Sequence, residues 1–204
     1  LIQAPFHTNQ LEVIKNLVKS LPMGYELYVK EHPLMYARSW RKISIYKEIM
    51  NLPNVKLIHP SVAANELLEK CALVVTISGT TSLDAGFFGK FAIVLSKRPD
   101  IPILPHMHQL NNFDELPAVI KKLVNSKSDK NDYFHYIDFL KKNSFDIDFP
   151  GLVKSYGDSL FYSGFLTDME ISIGSMKELL AKIKDKNDLI AKKFIEKINN
   201  NSVT

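Results

Sequence analysis

A chain of 204 residues, 46% hydrophobic and 24% charged, has ordinary globular composition and the length of one generous domain, with or without an appendage. Its net charge of +4, from 26 Lys+Arg against 22 Asp+Glu interspersed along the chain, argues against a nucleic-acid surface. The mild basic excess would suit an anionic ligand or peripheral association with an acidic membrane surface. No run approaches the roughly 18 apolar residues of a transmembrane helix, and no signal peptide is visible.

"LIQAPF" reads as a first strand ended by Pro5. Leu11, Ile14, Leu17, Val18 and Leu21 follow at helical spacing, closed by "PMG". "ELYVKEHP" is a second strand. "SWRKISIYKEIMNL" is a helix with Trp40, Ile43, Tyr46 (or Ile45) and Ile49 on one side. "NVKLIHP" is a third strand, "VAANELLEKC" a short helix and "ALVVTIS" a fourth strand. "TTSLDAGFFGK" is a helix opened by hydroxyl residues, and "FAIVLS" is a fifth strand. Strands alternating with helices of this length predict a doubly wound parallel sheet covered on both faces. The continuous apolar runs "ALVV" and "FAIVL" agree with that burial.

Beyond "SKRPDIPILP" the alternation stops. "NFDELPAVIKKLVNS", "YFHYIDFLKKN" and residues 175 to 197 read as helices, while 144 to 174 show no clear periodicity and "NNNSVT" should fray. The Lys-rich run at 177 to 197 alternates with Glu178, Asp185, Asp188 and Glu196, as a solvated helix face does. The expected organisation is an α/β domain over residues 1–125 and a helical C-terminal extension over 126–204. A chain opening without Met in a strand-like run suggests a piece of a longer protein. The single cysteine, Cys71, cannot form an internal disulfide, which points to a reducing, cytoplasmic compartment. In "LLEKCALVV" it reads as a small buried hydrophobe.

Two stretches carry candidate chemistry. In "VVTISGTTSLDAGFFGK" a buried strand runs into Ser78, Gly79, Thr80, Thr81 and Ser82 and then into a helix. Gly79 would let the backbone approach a ligand, Thr80 or Thr81 would cap the helix, and its first N–H groups would face an anion. Asp84 lies on the first turn, within reach of a ribose. The same pattern also serves any helix that merely needs a cap, and it is neither a Walker A nor a G-x-G-x-x-G loop. In "KEHP", Lys30 and His32 end a strand on the same edge, so they could face that loop across a crevice. Strand alternation would point Glu31 the other way.

Other motifs are weaker. His106 and His108 form an H-x-H pair without Cys or carboxylates around it, so no metal is expected. His59-Pro60 lacks a preceding Lys and reads as a turn. No Ser/His/Asp order suggests a hydrolase. The aromatics of "YFHYIDF" and "FYSGF" read as core or interdomain packing.

"LYVKEHP", an arginine soon after it (Arg38 or Arg41), "LPNVKLIHP" and "ELLEKCALVVTISGTTSLDAGFFGKFAIVL" resemble a known group in combination. It is the C-terminal half of GT-B type glycosyltransferases of the capsule polysaccharide biosynthesis group, which includes bacterial Kdo transferases. Related bacterial sialyltransferases share a K-x-H-P motif and a downstream Ser/Thr motif. The resemblance covers about residues 1 to 95. It implies a Rossmann-like domain, a nucleotide-sugar donor that is often CMP-linked, and no cofactor. Lys30 matches the motif lysine, and His32 would be the catalytic contact to the donor phosphate. Residues 78 to 82 would hold phosphate or nucleotide, and Asp84 stands where the group usually has Glu near the ribose. The sequence departs from the group at "GKFAIV", where Phe91 replaces Pro, and at "VLSKRPDIPI", which lacks a glycine-aromatic stretch. The resemblance further implies a separate N-terminal acceptor domain supplying the general base. The 204 residues alone would then bind nucleotide without transferring sugar, in the cytoplasm or at the inner face of the membrane. Alternatives on the same architecture are a CDP-glycerol transferase-like or UDP-N-acetylglucosamine 2-epimerase-like enzyme. A third is a non-catalytic α/β interaction module.

Overall fold

A computed structural model of the chain describes residues 4–32, 41–97, 101–160 and 171–201. Contact density divides it into two units, residues 1–139 and 140–204, with the division inside a helix.

In the first unit, short apolar runs become parallel strands, and each is reached from the one before through intervening helix or turn. Helix α1 (Gln10–Ser20) is capped by Asn9, whose side-chain oxygen accepts from the Glu12 N–H at 3.3 Å. Its buried residues Val13 and Leu17 lie one turn apart, the spacing that puts side chains on one face. Strand β1 (Leu27–Lys30) is followed by α2 (Ile43–Met50) and β2 (Val55–Ile58). β1 and β2 pair in parallel from Leu27 opposite Val55 to Lys30 opposite Ile58. Asn54 enters β2 with φ +58°, a left-handed conformation that Asn tolerates, and its carbonyl accepts from Leu27 N–H at 2.8 Å.

Helix α3 (Ala64–Lys70), β3 (Leu73–Thr76), α4 (Thr81–Phe87), β4 (Phe91–Val94) and β5 (Met107–Gln109) come next. The last three strands make a second parallel sheet in the order β3-β4-β5. Both of its faces are covered. Leu73, Val75, Phe91 and Ile93 pack toward Val13 and Leu17 of α1 and toward Leu116, Ile120 and Leu123 of α5 (Leu116–Val124). Val74, Ala92 and Val94 pack the other way, with Leu68 of α3, Ala85 of α4, and Leu104. This alternation is the physical reason the strands are apolar at every position. The 3-10 turn before α5, Phe113–Glu115, carries a capping box. Asn112 accepts from Asp114 N–H, and the Glu115 carboxylate accepts from the N–H groups of Asn112 and Asn111. Those backbone bonds hold Glu115 below the usual carboxylate value.

Helix α6 (Lys130–Asn143) contains the division between units. The second unit holds α7 (Phe149–Leu160), α8 (Ile173–Lys182) and α9 (Lys184–Asn201) around Leu152, Leu179 and Ile183. Asp148 caps α7 by accepting from Gly151 N–H at 2.9 Å and also accepts from Lys186 at 2.9 Å.

Several expectations change. Residues 1–3 of the predicted first strand lie outside the described residues, and Pro5–His7 is a 3-10 turn, as the fixed φ of Pro5 favours. The stretch read as unperiodic contains α7, and β5 was unforeseen. Ile43, expected on the buried side of its helix, is 73% exposed, and Trp40 is outside the described residues. Cys71 is half-buried, with its thiol raised above its ordinary value chiefly by burial. Among the described residues no helix is long and apolar enough to cross a membrane.

Candidate functional site

Because β1 and β2 run in parallel and in register, the residues leaving them, Lys30 to His32 and His59-Pro60, emerge at one edge. Lys30 ends β1, and its ammonium donates to the carbonyls of Glu31 and Pro60, each at 3.2 Å. His59 Nδ1 lies 2.7 Å from the Ser61 hydroxyl and 3.2 Å from the Ser61 N–H, which holds the ring over the turn after β2. His32 is exposed.

Beside this edge lies a cavity of about 530 Å³. Ile43, Leu57, Ile58 and Pro60 give it apolar walls, and Glu31, Arg41, Tyr46 and His59 bring polar groups to it. Glu31 is only 8% exposed. Its carboxylate accepts from Arg41 Nε, from Arg41 Nη2 at 3.5 Å and from the Tyr46 hydroxyl at 3.3 Å. Arg41 also donates to the Gln10 side-chain oxygen, so α1, the end of β1 and the approach to α2 are tied at one point. Glu31 therefore does not point away from the site. The strand ends at Lys30, so strand alternation no longer governs the next residue. A carboxylate straight after an apolar strand, with an arginine ten residues on, was the available signal for this pair. Arg38, the other arginine considered, is outside the described residues.

The hydroxyl-rich turn belongs to the other sheet. Gly79 N–H donates to Thr76 Oγ1 at 2.9 Å, and Ser82 donates to the Gly79 carbonyl from its N–H at 3.3 Å and its hydroxyl at 2.9 Å. The N–H groups of Leu83 and Asp84 both reach the Thr80 carbonyl. The expected side-chain cap is not formed at Thr80, which already has helical dihedrals (φ −65°, ψ −16°). The amides of Ser82, Leu83 and Asp84, in the first turn of the seven-residue helix α4, thus bond within the turn rather than facing an anion. Ser82 is fully buried and serves the turn from inside. Ser78 and Thr81 are half-buried, and Thr80 and Asp84 are exposed.

The structure brings Lys30 to the exit of β2 rather than to this turn. Among the described residues no strand pairing joins the two sheets that carry the two halves of the predicted site. Nor does any group of three or more His, Cys, Asp or Glu there offer a metal site. His106 is bonded at Nε2 to the Ser82 carbonyl. Fold and site together define a mixed α/β protein with parallel sheets and a polar-floored cavity at strand ends. The chain matches no protein-family model, no curated protein and no solved structure.

Proposed function

We propose that the chain is the donor-binding half of a GT-B type glycosyltransferase for surface polysaccharide, with a doubly wound, Rossmann-like fold and a CMP-linked sugar as ligand. The observation that carries the reading is the cavity of about 530 Å³ at the carboxyl ends of β1 and β2, lined by Glu31 and His59, whose chain neighbours are Lys30, His32 and Pro60. Ligands of open α/β sheets sit at such strand ends, and mostly apolar pockets of about 300–1,000 Å³ with few polar groups suit small molecules. In this reading His32 and Lys30 stabilise charge on the leaving phosphate, which is the main task of a donor half. The resemblance further assigns Ser78, Gly79, Thr80 and Thr81 to the phosphate or nucleotide and Asp84 to the ribose, although these residues do not line this cavity, and Ser82 braces their turn. The general base comes from an acceptor-side domain, and the protein works in the cytoplasm or at the inner face of the membrane.

Calorimetric titration of CMP, CDP and UDP against wild type and His32→Ala tests this. CMP binding that is lost in the variant is the expected result. UDP preference points instead to epimerase-like chemistry. A second reading, a non-catalytic interaction module, draws on the internal bonding of the α4 amides, and absence of binding at millimolar nucleotide would favour it.

A further inference from the structure

The turn at residues 78–82 rests on a histidine. His106, immediately before β5, is 1% exposed. Its Nε2 lies 3.0 Å from the Ser82 carbonyl oxygen, so that nitrogen is the donor and carries the hydrogen of the neutral ring. The ring also seats α4. A Cβ at Gly86 would stand 2.6 Å from His106 Cε1, so only glycine allows this approach. From Ser82 the bonding continues through its hydroxyl to the Gly79 carbonyl, and from Gly79 N–H to Thr76 Oγ1. His106 is thus the buried end of a hydrogen-bonded chain that defines the turn. Its other nitrogen, Nδ1, is buried and has no hydrogen-bond partner among the described residues.

We propose that neutral His106 is a positioning residue for the 78–82 turn, and that its protonation in acid releases α4 and the turn together. A neutral imidazole needs one acceptor here and has it. The imidazolium must put a second N–H, with its charge, at Nδ1, a buried atom with no hydrogen-bond partner among the described residues. The elements against the ring do little to offset this. β4 carries no ionisable side chain and α4 contributes the exposed Asp84; α6 carries Lys130, Asp132, Tyr133, His135, Tyr136, Asp138, Lys141 and Lys142, of which Asp132 is the charge that acts on the ring. Burial is the largest influence and holds His106 below its ordinary value, against the weaker opposing effects of backbone bonds to Ser82 and Leu83 and of the Asp132 charge. The unfolded chain therefore takes up a proton that the folded chain refuses. Stability of this element is complete above the ordinary histidine value and is lost as pH falls through it toward the lowered folded value.

The effect on the turn stands on this geometry alone; an effect on ligand binding rests on the proposed nucleotide reading. The test is hydrogen exchange on the full chain from pH 7 to pH 5, corrected for intrinsic rates, comparing amides 82–87 with amides 13–18 of α1. It is run on wild type and on His106→Gln, whose side-chain N–H can still reach the Ser82 carbonyl but does not titrate. Protection of α4 should fall by up to about tenfold per pH unit in wild type, with α1 unaffected and the variant flat. A wild-type α4 that ignores pH, or an equal fall in His106→Gln, overturns the proposal. Should the variant not fold, NMR titration of the wild-type imidazole decides, and a His106 that titrates at or above the ordinary histidine value overturns it. CMP added to the same samples separates the two readings. Protection that falls with pH in a protein that never binds CMP keeps the His106 device and removes the nucleotide site.

Discussion

Removing the Arg41 guanidinium tests whether the cavity floor is held by a buried charge pair. In Arg41→Ala the Glu31 carboxylate, with its side chain 9% exposed, keeps only the Tyr46 hydroxyl of its side-chain partners described above. Taking one partner from a fully buried pair costs about 3–5 kcal/mol. Arg41 is itself 27% exposed, so water can partly replace it, and the expected loss is about 2–3 kcal/mol. For a unit of this size that corresponds to a fall in melting temperature of about 5–10 °C. Glu31→Gln should cost less, about 1 kcal/mol, because the orphaned guanidinium is the more exposed partner. Urea unfolding of wild type, both single variants and the double variant closes a cycle, with an expected coupling of about 1–2 kcal/mol. Single losses below about 0.5 kcal/mol with additive behaviour would mean an ordinary surface pair and would refute the buried-floor argument.

Two further outcomes are expected. In Gly79→Ala the new Cβ would stand 2.7 Å from Thr76 Oγ1, the atom that accepts from Gly79 N–H. Loss of that bond should cost about 1 kcal/mol and speed amide exchange through residues 78–82, and unchanged exchange would contradict the turn geometry. Asp148 is held below its ordinary value first by its bond to Lys186 and then by Gly151 N–H. Its contribution is present above the ordinary Asp value, about 3.9, and disappears as pH falls through the lowered folded value. Circular dichroism of Asp148→Asn should therefore lack an acid-induced loss of helix that wild type shows.

The sequence made the strands legible where burial on both faces leaves a continuous apolar run, as in "ALVV" and "FAIVL". β5 was hidden because three residues containing His108 and Gln109 carry no such signature, and its pairing with β4 is set by tertiary packing. In the sequence, the polar stretch after residue 125 reads as a boundary. The compact unit extends to 139 because Tyr133 and Phe134 of α6 meet Phe87, and Tyr136 packs beside the β4 core. At the site, strand ends and hydroxyl residues could be read one by one. What periodicity could not supply was the direction of a side chain once its strand has stopped, which hid Glu31, or the internal use of turn amides, which removed the cap.

Lys30 illustrates what such placement does to a flexible side chain. An ammonium has three hydrogens, and two of these already point at carbonyls beyond the last rungs of β1 and β2. The lysine therefore acts as a cross-strand staple that extends the ladder past its backbone bonds. Its rotamer freedom is given up on folding rather than on binding, where ordering a long side chain costs about 0.5–1.5 kcal/mol. Among the described residues the third hydrogen is left as a single donor of fixed direction, so a ligand at this edge meets a vector rather than a diffuse positive charge.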